Sequence, residues 1–253
     1  MRTILIILGL LFSVSIYAQT DAVATAKKPA DTEQDAGNPG LHQKIKQRFI
    51  DGRVPYMLPI LITLILGLSL SIERIIYLNR AHINSQKLLR DIEPDIVAGN
   101  LDAAMEKCRN TRGPVATMLL QGMNRAPYGL DVMEKSILSA GNAQMSLLER
   151  GLTWVSLFIS LAPIFGFFGT VVGIFMVFEE IEVAGDIAVS IVAGGMKVKL
   201  ITTISGLIVA IILQIFYNYI VSKIDNIVYD MEEGAIDFVD MMLKSGYYND
   251  KKL

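Results

Sequence analysis

Hydroxyl and ammonium groups stand where hydrocarbon is expected. In GGMKVKLITTISGLIVAIILQIFYNYI, residues 194–220, Lys197, Lys199, Thr202 and Thr203 open an apolar run that holds no carboxylate. A threonine hydroxyl cannot keep a proton's charge near neutral pH, but it donates and accepts in turn, so it can relay a proton between other groups. A lysine inside such a run is costly and is a functional candidate by default. Near a helix end its ammonium instead snorkels to the membrane surface and serves as an anchor. A second apolar stretch, LTWVSLFISLAPIFGFFGTVVGIFMVF (152–178), repeats the theme. There Thr153, Ser156, Ser160, Pro163, Phe167 and Thr170 fall at offsets of 0, 3, 7, 10, 14 and 17, which sets the hydroxyls on one helical face. The plain alternative is that each hydroxyl bonds a carbonyl of its own helix. Two facing helices, each with a hydroxyl stripe, favour a polar seam or pore lining. Its candidate residues are Thr170, Thr203, Ser160, Ser156 and Thr202, with Lys197 and Lys199 as charge at the mouth.

Small residues accompany the hydroxyls. Gly166, Gly169 and Gly173 let another helix approach, the last two in G-x-x-x-G spacing, and Thr202, Gly206 and Ala210 make a small-x-x-x-small ridge on the other segment. Thr203 and Gln214 share a face about three turns apart.

The elements that must carry these groups read as membrane helices. VPYMLPILITLILGLSLSI (54–72) is free of charge and long enough to cross hydrocarbon at about 1.5 Å per residue. Residues 152–178 form a second span, and the block over 187–221, on the order of 50 Å, exceeds the layer and must protrude or sit in protein. EEIEVAGD (179–186) reads as a short acidic link between them. Residues 73–150 are mixed and helical in pattern: Asn100 is a good N-cap, Leu101, Met105 and Cys108 share a face, and Gly113-Pro114 and Ala126-Pro127 break the run. From Leu130 the helical period can continue unbroken into the second span. Residues 222–253 are an amphipathic tail.

Ahead of the first span, residues 1–18 read as a signal peptide, with Arg2 before an apolar core and Ala18 at the cut. Ile16 is larger than a cleavage site prefers, so an uncut anchor is the alternative. Residues 19–42 have the composition of a disordered exported tail, and 43–53 form a basic amphipathic segment suited to a membrane surface. Export of the N-terminus places 73–150 and 222–253 in the cytoplasm. Arg74, Arg80, Lys87, Arg90, Arg150 and Lys223 agree, and Lys44, Lys46, Arg48 and Arg53 disagree.

Composition excludes much else. Hydrophobic residues make up 52% of the 253, in blocks, which is a membrane protein's distribution. A formal charge of -2 with no basic patch gives no reason to expect nucleic acid. One cysteine, Cys108, allows no internal disulfide, and two histidines, His42 and His82, lack ligand spacing and read as solvated. No phosphate-binding, nucleophile-elbow or zinc motif occurs, so neither metal, cofactor nor enzymatic activity is expected.

APIFGFFGTVVGIFMVF resembles the second-span signature of the MotA/TolQ/ExbB proton-channel family, and LITTISGLIVAIILQIFYNYI is similar to its third-span pattern. The resemblance covers about residues 54–230. It implies an all-α, polytopic membrane protein with three transmembrane helices and a helical cytoplasmic insert, assembled as a homo-oligomeric ring, typically a pentamer. The ring would enclose the membrane helix of a single-span partner of the ExbD/TolR type, whose aspartate takes and releases the proton. Thr170 and Thr203 match the threonines around that aspartate. The work would be done in the bacterial inner membrane on a TonB-like protein. A TolQ-like role in envelope maintenance, a motility stator, or a non-conducting scaffold are the alternatives. Two positions depart from the family pattern: Val198 stands where ExbB-like members often carry glutamate, and Ile212 stands where the pattern has proline, so this helix should be straighter.

Overall fold

In the computed structural model, residues 54–185 and 189–247 are described, and every described element is helical. The expected signal peptide, exported tail and amphipathic segment (1–53) lie outside the described residues, as do 186–188 and 248–253.

The first apolar block forms α1, Val54–Ala81. It outruns the expected span because Glu73 and Arg74 are good helix formers and nothing after them breaks the helix. Pro59 removes one amide from the early helix, and the hydroxyls inside the block are held locally. Thr63 Oγ1 donates to the Pro59 carbonyl at 2.7 Å and Ser71 Oγ to that of Gly67 at 2.8 Å.

Four shorter helices follow: α2 (Ser85–Val97), α3 (Leu101–Asn110), α4 (Pro114–Arg125) and α5 (Leu130–Leu148), with a 3-10 turn at Ala126–Tyr128. Their ends follow the local chemistry. Asn84 and Asn100 accept from the backbone amides of Lys87 and Ala103, capping α2 and α3. Pro114 takes the first turn of α4, where its missing N–H costs nothing. The expected unbroken run from Leu130 into the second span does not occur. Gly151, at φ 92°, turns the chain between α5 and α6 (Leu152–Ala184).

α6 runs through Pro163 and through the acidic residues Glu179, Glu180 and Glu182, which were expected in a link but are helical. Gly185 ends it in the left-handed conformation at φ 66°. The final helix, α7 (Val189–Lys244), has 56 residues, about 84 Å at the standard rise. Its apolar character stops near Val221, but its helix does not. Ile224, Ile227, Met231, Phe238 and Met242 continue a buried face at helical spacing.

The three long helices α1, α6 and α7 are apolar enough to cross a membrane. α6 runs antiparallel to both others: Tyr56 Oη donates to Met176 Sδ at 3.8 Å at one end, and Arg74 lies against Gly151 at the other. Exposed apolar residues such as Leu61, Trp154, Ile164, Phe175, Leu207 and Ile211 lie outside a small inner contact of Met57, Ile60, Ala162, Val209 and Leu213. A helix bundle apolar outside as well as inside belongs in lipid. Beyond the span, α2, α4 and α5 pack on the distal half of α7, with α3 against α2 and α4, around a larger core that includes Leu78, Ile92, Leu119, Met133, Ile137 and Phe238. The chain is therefore a multi-pass membrane protein whose helical insert and last helix share one side.

Candidate functional site

α6 and α7 touch along most of their apolar length, and glycine makes this possible. A β-carbon at Gly206 would sit 2.5 Å from the Ala162 carbonyl oxygen, and one at Gly166 would sit 3.1 Å from that of Thr202. At Gly169 it would meet the Thr202 side chain at 3.3 Å. Thr202 is accordingly buried, and its hydroxyl donates to the Lys199 carbonyl at 2.8 Å. Ala210 is half-buried against the inner contact, so the expected small-residue ridge is a packing surface.

In this seam the structure brings Thr170 and Thr203 together. Their hydroxyls are hydrogen-bonded to each other across the helices. Each also reaches the same two carbonyls: Thr170 Oγ1 lies 3.3 Å from Gly166 O and 3.2 Å from Lys199 O, and Thr203 Oγ1 lies 3.3 Å from both. Two oxygens and two carbonyls thus share two protons. One hydroxyl donates to the other, the second donates to a carbonyl, and the order reverses by rotating both hydroxyls without moving a helix. Both threonines are half-buried in this chain, unlike the fully buried Thr202 beside them.

The serines behave differently. Ser160 Oγ donates to the Ser156 carbonyl at 3.2 Å, and both residues are exposed with Thr153 and Phe167 on one side of α6. They share the expected face, but Ser160's hydroxyl satisfies its own helix, as the plain reading held. Gln214 donates to Asn218 Oδ1 at 3.0 Å on the exposed side of α7, and no bond joins it to Thr203.

Lys199 is the residue whose place the sequence left open. It is 4% exposed, and its methylenes lie over Gly173: a β-carbon there would meet Cγ at 2.7 Å and Cε at 3.0 Å. Gly173, expected only to help helices pack, is the slot in which the lysine lies. The antiparallel register was the available signal, because three residues onward from Thr170 and four back from Thr203 lead to this pair. Glu180 on α6 acts on Lys199 electrostatically, yet none of the ion pairs among the described residues includes Lys199. The side chains of Lys197 and Val198 lie outside the described structure.

Away from the span, His82 is exposed, as expected, with its Nδ1 3.4 Å from Asp230 Oδ2 of α7. Burial in the insert core pushes the Cys108 thiol up to about 11. Among the described residues no cluster of His, Cys, Asp or Glu could hold a metal.

Comparison with known proteins bears on this seam. Residues 110–233, which contain both threonines, match the MotA/TolQ/ExbB proton channel family. A putative biopolymer transport protein ExbB homolog from Methanothermobacter thermautotrophicus is 29% identical over 184 residues, covering 72% of this chain and 63% of the relative, so under two thirds of that protein is spanned. A putative biopolymer transport protein ExbB-like 3 from Synechocystis is 26% identical, with 63% of this chain and 77% of the relative covered. The biopolymer transport protein ExbB of Neisseria gonorrhoeae is 25% identical, with 66% and 81% covered.

Proposed function

This chain belongs to the MotA/TolQ/ExbB proton channel family, and from that premise we propose that it is the ring-forming subunit of an ExbB-like proton channel and not an enzyme. The observation that carries the proposal is the Thr170–Thr203 hydroxyl pair, half-exposed in an otherwise apolar seam. Several copies, five by the family pattern, surround the membrane helix of an ExbD/TolR-like partner. The partner's carboxyl carries the proton, and the hydroxyl pair bonds it in either state: it donates to the carboxylate and accepts from the acid. No carboxylate occurs in α6 before Glu179 or in α7 before Asp225, so the charge carrier must come from the partner.

The protein sits in the bacterial inner membrane with its N-terminus outside the cytoplasm. Supporting that orientation, Arg74, Arg80, Lys87 and Arg90 follow the first span and Arg150 precedes the second, on the side where the helical insert packs. The relatives' names, biopolymer transport proteins, support transport as the work performed, and a TonB-like protein is its client in this reading.

The test is proton flux into vesicles holding the chain with its co-purified single-span partner. Thr203→Val and Thr170→Val each remove a hydrogen bond to a charged group, about 1.5–3 kcal/mol, so flux falls roughly 10- to 100-fold while the complex still assembles. Undiminished flux in the doubly substituted complex would refute the reading.

A further inference from the structure

We propose that Gln214 and Asn218 of α7 face water within the membrane, in a vestibule that carries protons between the Thr170–Thr203 pair and the insert end of the span. The proposal rests on the reading of the α6–α7 seam as a channel wall, and it supplies a stretch of path which that reading leaves open.

Depth sets these two carboxamides apart. Leu213 packs on Gly67 of α1, six residues before Glu73, so Gln214 stands about 9 Å inside the level where charge begins. Both side chains are exposed. Gln214 Nε2 donates to Asn218 Oδ1 at 3.0 Å, which leaves Gln214 Oε1 and the Asn218 amide hydrogens to a group outside the chain. Hydrocarbon offers no such group, and an unmet carboxamide is costly there.

Position says what that group is. From Thr203, Gln214 lies at an offset of 11, Asn218 at 15 and Asp225 at 22, all within about 60° of the Thr203 face. On α6, Ser160, Ser156 and Thr153 are exposed on the side of Thr170. Because Gly206 lies against Ala162, the two serines fall in height between Thr203 and Gln214, and Thr153 falls beside Gln214. Two polar rows therefore descend from the hydroxyl pair to the insert end, one on each helix. Toward the opposite end the same faces are apolar and exposed, with Ile174 and Phe178 on α6 and Leu200 and Met196 on α7. A lining that is polar on one side of the pair only is that of a half-channel open at the insert end.

The carboxamides take no charge near neutral pH. Each presents N–H to one water and C=O to the next, so a proton moves as one O–H bond breaks and another forms, and the side chains end unchanged. Asp225, the first carboxylate of α7, is exposed at the foot of the row to accept the proton and return it to solvent.

The experiment places single thiols in the whole complex in phosphatidylcholine vesicles, with Cys108→Ala removing the native one. Gln214→Cys and Asn218→Cys are compared with Ile208→Cys and Ile215→Cys, exposed on the other side of α7, using a charged methanethiosulfonate supplied to both membrane faces. Labelling at 214 and 218 is faster by roughly 10-fold or more, because the reaction needs thiolate and water together. In the same vesicles Gln214→Leu lowers proton flux about 10-fold with the complex intact, and Gln214→Asn retains most of it. Labelling no faster than at 208 and 215, or full flux in Q214L with T203V inactive, overturns the proposal and leaves the channel reading standing. Disulfide cross-linking of Q214C between copies also overturns it, because the carboxamides then belong to a contact between subunits. Absence of flux in the unaltered complex overturns both.

Discussion

Gly206 tests whether the seam is as close as the hydroxyl geometry requires. In Gly206→Ala the new methyl would lie 2.5 Å from the Ala162 carbonyl oxygen and 3.2 Å from Gly166 Cα, and both are backbone atoms that no rotamer change can move. Ordinary contact begins near 3.4 Å, so the helices must part by about 0.9 Å. Such a gap forfeits a quarter to a half of each dispersion contact along the seam. It also carries the cross-helix bonds from Thr170 to Lys199 O at 3.2 Å and from Thr203 to Gly166 O at 3.3 Å beyond hydrogen-bonding range. Overpacking costs about 1–3 kcal/mol and two interhelical bonds about 0.6 kcal/mol each. Against this, alanine is up to about 1 kcal/mol better than glycine within a helix. The net expectation is a loss of about 1–3 kcal/mol.

Gly141→Ala in α5 is the matched control. Its methyl would meet Met118 Sδ at 3.3 Å, the end of a flexible side chain, so the helix gain dominates and the protein is stabilised by about 0.5 kcal/mol or more. Equilibrium unfolding of both variants in mixed detergent, followed by far-ultraviolet circular dichroism, should give shifts of opposite sign, and G206A should also lose proton flux. A G206A protein as stable and as conductive as the original would refute the close-packed seam and the relay geometry that depends on it.

The insert gives two further expectations. Cys108 is buried with its thiol raised from an ordinary 9.0 to about 11, so maleimide labelling near neutral pH is slow until the protein unfolds. The unfolded thiol ionises first as pH rises, so its share of stability is complete below about 9 and declines between about 9 and 11; Cys108→Ala should remove that part of the pH dependence in the same unfolding assay. Lys107 pairs with Asp95 Oδ2 at 2.6 Å and donates to the Asp91 carbonyl at 2.7 Å, joining α3 to α2. Lys107→Ala leaves the enclosed Asp95 oxygen without its ion-pair partner and should destabilise the protein by about 1–2 kcal/mol, read from its denaturation midpoint.

The membrane class, the Asn100 cap, the Gly113-Pro114 boundary and the hydroxyl face that carries Thr170 were legible because each leaves a local mark: an apolar run, an Asn or Gly-Pro at a boundary, a hydroxyl stripe. What was not legible depends on continuity and register. α7 was expected to end near Val221 because hydropathy falls there, yet hydropathy reports solvent and not backbone. Ile224 through Met242 keep the helical period without a breaker strong enough to stop it. The acidic residues after Phe178 were expected in a link for the same reason, although glutamate is a good helix former and the stop is Gly185.

Register explains the rest. A hydroxyl stripe fixes a face of one helix, but only the antiparallel alignment says which residue lies opposite which. It separates Thr170, joined to Thr203, from Ser160, which bonds within its own helix. It also turns Gly173 from one small residue among several into the slot under Lys199. The alignment itself follows from the glycines. The atoms nearest Gly206 are backbone of Ala162 and Gly166 and those nearest Gly166 are backbone of Thr202 and Thr203, so a shift by one residue would drive side chains into backbone. The packing glycines and the hydroxyl pair are therefore parts of one arrangement: glycines set the register, and the register sets hydroxyl against hydroxyl.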